Sequence, residues 1–167
     1  MTNRLKVCRN QEFYLGYFQM ARKRAKSERQ KAIEKADAYC SKYVRLSNAD
    51  ANGICQCYTC TKRAHWKQMT CGHKESRWWI SVRYDLDNVR PQCWGCNSKL
   101  YGNGRPVEFE IHLIDEIWEE RVNAVHQKVL KEARDPVKNT LSTPEILEIA
   151  DDFREKLKPY KHFLSSN

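Results

Sequence analysis

The chain has 167 residues, about one domain's worth, with 30 Lys and Arg against 21 Asp and Glu for a formal charge of +9. Such a balance points to a polyanionic partner, against the plainer alternative of a merely basic soluble protein. No run of about eighteen apolar residues appears, which excludes a helical membrane span, and the leader MTNRLKVCRNQEFYLGYF lacks a clean apolar core with a small-residue cleavage site, so secretion is not expected.

Apolar spacing predicts a helix over residues 11–46, with Ile33, Ala36, Tyr39 or Cys40, and Tyr43 on one face. Its segment ARKRAKSERQK is dense in base. Arg22, Lys23, Arg24, Lys26 and Arg29 are therefore candidates for DNA-backbone contact, weighed against a simple solvated face. SNADANG, residues 47–53, reads as a loop. This basic helical extension, residues 1–50, precedes a module at 54–104 and C-terminal helices at 105–160.

The module holds two CxxC pairs, Cys57 with Cys60 and Cys93 with Cys96. A two-residue spacer lets both sulfurs of a turn face one ion, so the quartet predicts a closed tetrahedral Zn²⁺ site of structural type. With no secretory signal, reduced metal-bound sulfur is favoured over disulfides. Cys8, Cys40, Cys55 and Cys71 read as small packed or surface residues. The 32 residues between the pairs exceed what a minimal zinc ribbon needs. They predict a short strand ending near His73, an irregular loop, a return strand near Val82–Tyr84, and a short helix. That helix starts around Cys93 and stops at the Gly102, Asn103, Gly104 cluster.

Beyond it, Pro106 suits a helix first turn. Val107, Ile111, Ile114, Trp118, Val122, Val125 and Val129 predict one amphipathic helix or two nearly collinear ones. Residues 135–142 read as a linker. Ser142 and Glu145 form a capping-box signature before a last helix with Ile146, Ile149, Phe153 and Leu157 on one face.

The motifs CYTC, GHKESR, VRYDLDNVRPQCWGCNSKLYGN and HLIDEIW, in that order over residues 54–118, carry a resemblance to the phage lambda Rap/NinG recombination endonuclease family. That resemblance implies a structure-selective DNA endonuclease cutting branched intermediates such as D-loops and Holliday junctions. It also implies the cytoplasm of a bacterial host as the setting, with phage or host recombination proteins as partners.

Independently, GH, DN and CN occur in the order of an HNH-type ββα-metal nuclease. The fold class expected is α+β and mostly helical, with a small zinc-stabilised ββα-metal module flanked by helices. In that scheme His73 is the general base that takes a proton from water. Asn97 holds the catalytic Mg²⁺ or Mn²⁺, and Asn88 braces the loop through backbone or through His73. HNH enzymes often carry a ligand beside the base, where this chain has Gly72. Glu75, Asp85 and Asp87 are candidate supplements, because hard cations prefer carboxylate oxygen. Arg77, Arg83 and Lys99 are candidate phosphate contacts, the arginines otherwise pairing with Asp85 or Asp87. Trp78, Trp79 and Trp94 either pack around the module or stack on unpaired bases. Two alternatives compete with this reading: a zinc-stabilised DNA-binding module without catalysis, and a sequence-specific HNH endonuclease. Symmetric cutting of a four-way junction would favour a homodimer.

Overall fold

The computed structural model describes residues 25–165, so Arg22, Lys23, Arg24 and Cys8 lie outside the described residues. Ser27 caps the first described helix, α1 (Glu28–Ser47), its side chain accepting from the Gln30 N–H. Ala32, Ala36, Cys40 and Val44 recur every fourth residue and are buried. This small-residue stripe packs against Ile146, Ala150 and Phe153 of α6 (Thr143–Lys156), together with Tyr84 and Val89. Small side chains let the two backbones approach closely. Arg29 fastens the pair, donating to the Leu141 carbonyl at 2.8 Å. The Ser142–Glu145 capping box starts α6.

Two antiparallel hairpins lie between these helices in sequence. In the first, β1 (Ile54–Gln56) pairs with β2 (Arg63–His65). In the second, β3 (Met69–His73) pairs with β4 (Val89–Cys93), from Met69 opposite Cys93 to His73 opposite Val89. A short 3-10 turn, Trp66–Gln68, joins them. The return strand is thus β4, not Val82–Tyr84. Val82 and Tyr84 have strand-like side chains, yet they sit in the turns after β3 and are buried as core anchors. Tertiary burial decided their role, not pairing.

The helix after β4 is one turn, α2 (Trp94–Asn97). It ends earlier than expected because residues 98–105 fold back on it: the Gly104 N–H bonds the Cys96 carbonyl at 2.8 Å. Next come α3 (Pro106–Ile117) and α4 (Glu119–Arg134), broken at Trp118, whose φ is +69°. In α4 the expected apolar stripe holds, with Val122, Val125 and Val129 buried. In α3 it is offset to Phe109, Leu113 and Ile117, while Val107, Ile111 and Trp118 face solvent. The short α5 (Pro136–Asn139) interrupts the expected linker. After α6, a 3-10 turn, Lys158–Tyr160, leads into α7 (Lys161–Ser165). The architecture is mostly helical with two small sheets, and among the described residues no helix is long and apolar enough to cross a membrane.

Candidate metal centre and adjoining cleft

Each hairpin delivers one cysteine pair. The Cys57 N–H bonds the Lys62 carbonyl at 2.8 Å, closing the turn that carries Cys57 and Cys60. Cys93 ends β4, and Cys96 lies in α2. The four sulfurs all lie within 4.8 Å of one another, and Cys60 and Cys93 are 3.9 Å apart. Zinc–sulfur bonds of about 2.3 Å in a tetrahedron imply sulfurs about 3.8 Å apart, so the quartet fits a Zn²⁺ ion. It contains no histidine; four sulfurs complete the shell. Burial pushes the Cys57 thiol up, but N–H groups of Cys93 and Thr59 more than offset it and bring its pKa down to about 7. That favours the thiolate a metal needs. Cys55 and Met69 pack around the cluster, and both are buried.

Beside it, a cleft of about 610 Å³ opens between α1 and β3. His73 and Asn97 both line it. The His73 Nε2–H donates to the Arg83 carbonyl at 3.1 Å. A carbonyl only accepts, so the neutral ring carries its proton on Nε2 and keeps a lone pair on Nδ1. Burial lowers the His73 pKa to about 4, and the charges of Arg77 and Arg83 push the same way. The imidazole is therefore neutral at physiological pH. Asn97 Nδ2 donates to Thr70 Oγ1 at 3.0 Å and to the Cys71 carbonyl at 3.4 Å. Those bonds orient the amide and leave Oδ1 as the atom available to a ligand.

Asn88 is fully buried and spans the loop between β3 and β4. Its Oδ1 accepts from the Glu75 N–H at 2.7 Å; its Nδ2 donates to the carbonyls of Glu75 at 3.1 Å and Val82 at 2.9 Å. The amide replaces backbone pairing that the irregular loop lacks. Its partners are backbone groups, not His73.

Arg83 and Arg77 pair with neither Asp85 nor Asp87. Both reach Asp37 on α1: Arg83 Nε donates at 2.7 Å and Arg77 Nη2 at 2.8 Å, with a second Arg83 contact to the other Asp37 oxygen. Arg83 also donates to the Arg77 carbonyl, so its side chain is committed to the fold, whereas the Arg77 side chain is 63% exposed. Asp85 pairs with Lys128, Asp87 with Arg121, and Glu75 with His126, all on α4. None of those three carboxylates lines the cleft. The cleft's carboxylates are Glu34 and Asp37, three residues apart on α1.

Gly72 has a physical reason. A Cβ there would lie 2.1 Å from Gln92 Oε1. Gln92 is fully buried, and its Nε2 donates to Thr59 Oγ1 at 2.9 Å and to the Gly104 carbonyl at 2.8 Å. Position 72 therefore has no room for a metal-ligating side chain. Asp37 and Gln92 are the residues that sequence reasoning missed. Asp37 sits on a helix that reads as a basic leader, and Gln92 looks like filler between motif residues. The one available signal is the helical spacing of Glu34, Asp37, Ala38 and Ser41.

Among the other candidates, Lys99 is exposed, Lys26 pairs with Glu34 at 2.7 Å, and Arg29 holds the segment before α6. Trp78 and Trp94 are exposed, while Trp79 packs against Val82, Val125 and Val129. Cys40 and Cys55 are buried, and Cys71 is half-buried in the cleft.

Fold and site together define a small, mostly helical α+β protein built around a four-cysteine cluster. The chain belongs to the bacteriophage lambda NinG family: the model for the Bacteriophage Lambda NinG protein matches residues 9–162. The match extends well beyond the motif span at 54–118, taking in the basic leader and the last helix. This family is associated with phage recombination. The chain matches no curated protein and no solved structure.

Proposed function

We propose that this protein is a metal-dependent, structure-selective DNA endonuclease cutting branched recombination intermediates such as D-loops and Holliday junctions. One observation carries the reading. A half-buried, neutral histidine with one ring nitrogen pinned to backbone shares an open cleft with an oriented asparagine amide, outside the cysteine cluster. The neutral ring has a free Nδ1 lone pair that can accept a proton from water. A pKa lowered to about 4 makes it a weaker base than an ordinary histidine, so the geometry and not the pKa supports this role.

In this reading His73 Nδ1 takes the proton as water attacks the scissile phosphorus in line. Asn97 Oδ1 would offer one ligand to a Mg²⁺ or Mn²⁺ ion, the rest coming from water and the substrate phosphate. The cleft carboxylates are engaged, Asp37 by Arg77 and Arg83, and Glu34 by Lys26. Such an ion supplies stabilisation of negative charge on the leaving oxygen. Asn88 sets the loop that presents the Arg83 carbonyl, and so acts on the chemistry through His73. Exposed Arg77 and Lys99 would contact phosphate, with the basic stretch from Arg22, Lys23 and Arg24 through Lys26 and Arg29 adding affinity. Cys57, Cys60, Cys93 and Cys96 would hold a structural Zn²⁺ that ties the two hairpins together.

His73→Ala tests this on labelled four-way junction, D-loop and duplex with Mg²⁺, Mn²⁺ or EDTA. Cleavage is expected to fall about a hundredfold or more, with zinc content and branched-DNA binding retained. A variant that cuts like the wild type would leave a zinc-stabilised DNA-binding module without catalysis.

A further inference from the structure

Residues 98–105, directly after α2, form a loop locked against it. The Asn103 N–H bonds the Ser98 carbonyl at 2.8 Å, the Gly104 N–H bonds the Cys96 carbonyl at 2.8 Å, and the Arg105 N–H bonds the Gly102 carbonyl at 2.9 Å. Gly102 presses its backbone on Cys96; a Cβ there would lie 2.3 Å from the Cys96 carbonyl oxygen. Asn103, Gly104 and Arg105 all have left-handed φ, at +46°, +81° and +49°. Holding two non-glycine residues there costs energy that the surrounding hydrogen bonds must offset.

This rigid loop does not bury its apolar side chains. Leu100 is 85% exposed and Tyr101 73%. Tyr101 rests against Trp94, ring centroids 5.2 Å apart, and Trp94 is itself 59% exposed. Trp94 and Asn97 lie three residues apart on the single turn of α2, so the apolar shelf adjoins the cleft. Lys99, exposed on the same loop, forms no ion pair among the described residues.

From these features we infer that Trp94, Tyr101 and Leu100 form a stacking platform for an unpaired base, or the terminal base pair, at a DNA branch point. Lys99 takes the adjoining phosphate. The inference rests on the nuclease reading above and supplies its structure selectivity: a continuous duplex hides its base faces, and a branch point exposes them. Two rings and an unpaired cation have the chemistry of single-stranded nucleic-acid sites, where aromatic faces meet bases of any sequence. A second copy of the chain fits less well. Aromatic side chains bury about 150–250 Å² each, so the platform falls short of the roughly 800 Å² per partner of a stable interface.

The test is fluorescence anisotropy without divalent cation, so that binding is read apart from cutting. The probes are a four-way junction, a flap and a blunt duplex of equal length, the flap carrying 2-aminopurine at its branch. Trp94→Ala and Tyr101→Ala are each expected to weaken junction and flap binding about tenfold or more, and duplex binding less than about threefold. Trp94→Phe should keep most of the affinity. Wild type should quench the 2-aminopurine, and Trp94→Ala should not. Zinc content and melting temperature should match wild type in all three variants. Equal losses on duplex and branched DNA, or unchanged affinity on both, overturn the platform and leave the nuclease reading standing. A variant that changes the sedimentation coefficient instead assigns the surface to protein association. Wild-type protein that binds none of the three DNAs overturns both proposals.

Discussion

The cysteine cluster and the cleft touch, yet they are built in different ways. Cys96 and Asn97 are neighbours on one helical turn, and one serves the cluster while the other lines the cleft. Strand β3 is shared too: Met69 packs on the sulfurs, and His73 lies in the cleft. The cluster is closed, with three of its four cysteines buried and every sulfur near the other three. The cleft is open and assembled from α1, β3, the loop before β4, and α2. A metal cluster is specified by local turns, because thiolates converge wherever two turns meet. A cleft depends on how a distant helix docks. Here α1 brings the carboxylate that both arginines bind.

Breaking the cluster should cost most. Cys96→Ser, or chelation of the wild type, should unfold both hairpins, since structural zinc contributes about 10–16 kcal/mol in small zinc modules. Metal analysis should find one zinc per wild-type chain, and circular dichroism should report the collapse. A protein that folds and keeps its stability without metal would remove the distinction between the two regions.

Acid sharpens the comparison from the cleft side. The folded-state pKa of His73, about 4, lies below its ordinary 6.5. Its neutral form therefore contributes stability above pH 6.5, and that contribution is lost as pH falls from there towards 4. The full span is on the order of 3 kcal/mol, at about 1.36 kcal/mol per pH unit. Cysteine ligands also protonate in acid, so the measurement is a difference: urea unfolding of wild type and His73→Gln with zinc present, from pH 7.5 to 4.5. The wild type should lose more stability over this range than the variant. Parallel curves would mean that His73 is not held neutral by burial.

The smallest effect is expected where the two regions are coupled. Gln92 reaches from Thr59, beside the cluster, to Gly72, next to His73. Gly72→Ala should force the pinned Gln92 side chain aside, costing about 1–3 kcal/mol as overpacking. Zinc should stay bound while cleavage slows, because the strain falls on β3. Gln92→Ala in the same chain should recover part of the stability by making room for the methyl group.

Periodicity and turn chemistry made several parts of this protein legible in the sequence. The CxxC pairs announced the cluster, because a two-residue spacer has few other uses. Ser142 and Glu145 announced the start of α6, because a cap is a local hydrogen-bond pattern. The end of β3 at His73 was legible from GH. Three features were not. Val82–Tyr84 reads as a strand and is a buried turn, because Asn88 supplies the hydrogen bonds that pairing would have supplied. Val107, Ile111 and Trp118 read as a core face and are exposed, because the backbone break at Trp118 resets the helical phase. Asp37, the partner of Arg77 and Arg83, lies 40 residues or more away in sequence, on a helix whose composition speaks only of charge. Sequence alone determined the elements whose hydrogen bonds and ligands are local: the cysteine turns, the caps and the short strand to His73. Tertiary structure decided which carboxylate enters the cleft, which aromatics stay in water and why position 72 is glycine, since each depends on contacts between segments far apart in the chain.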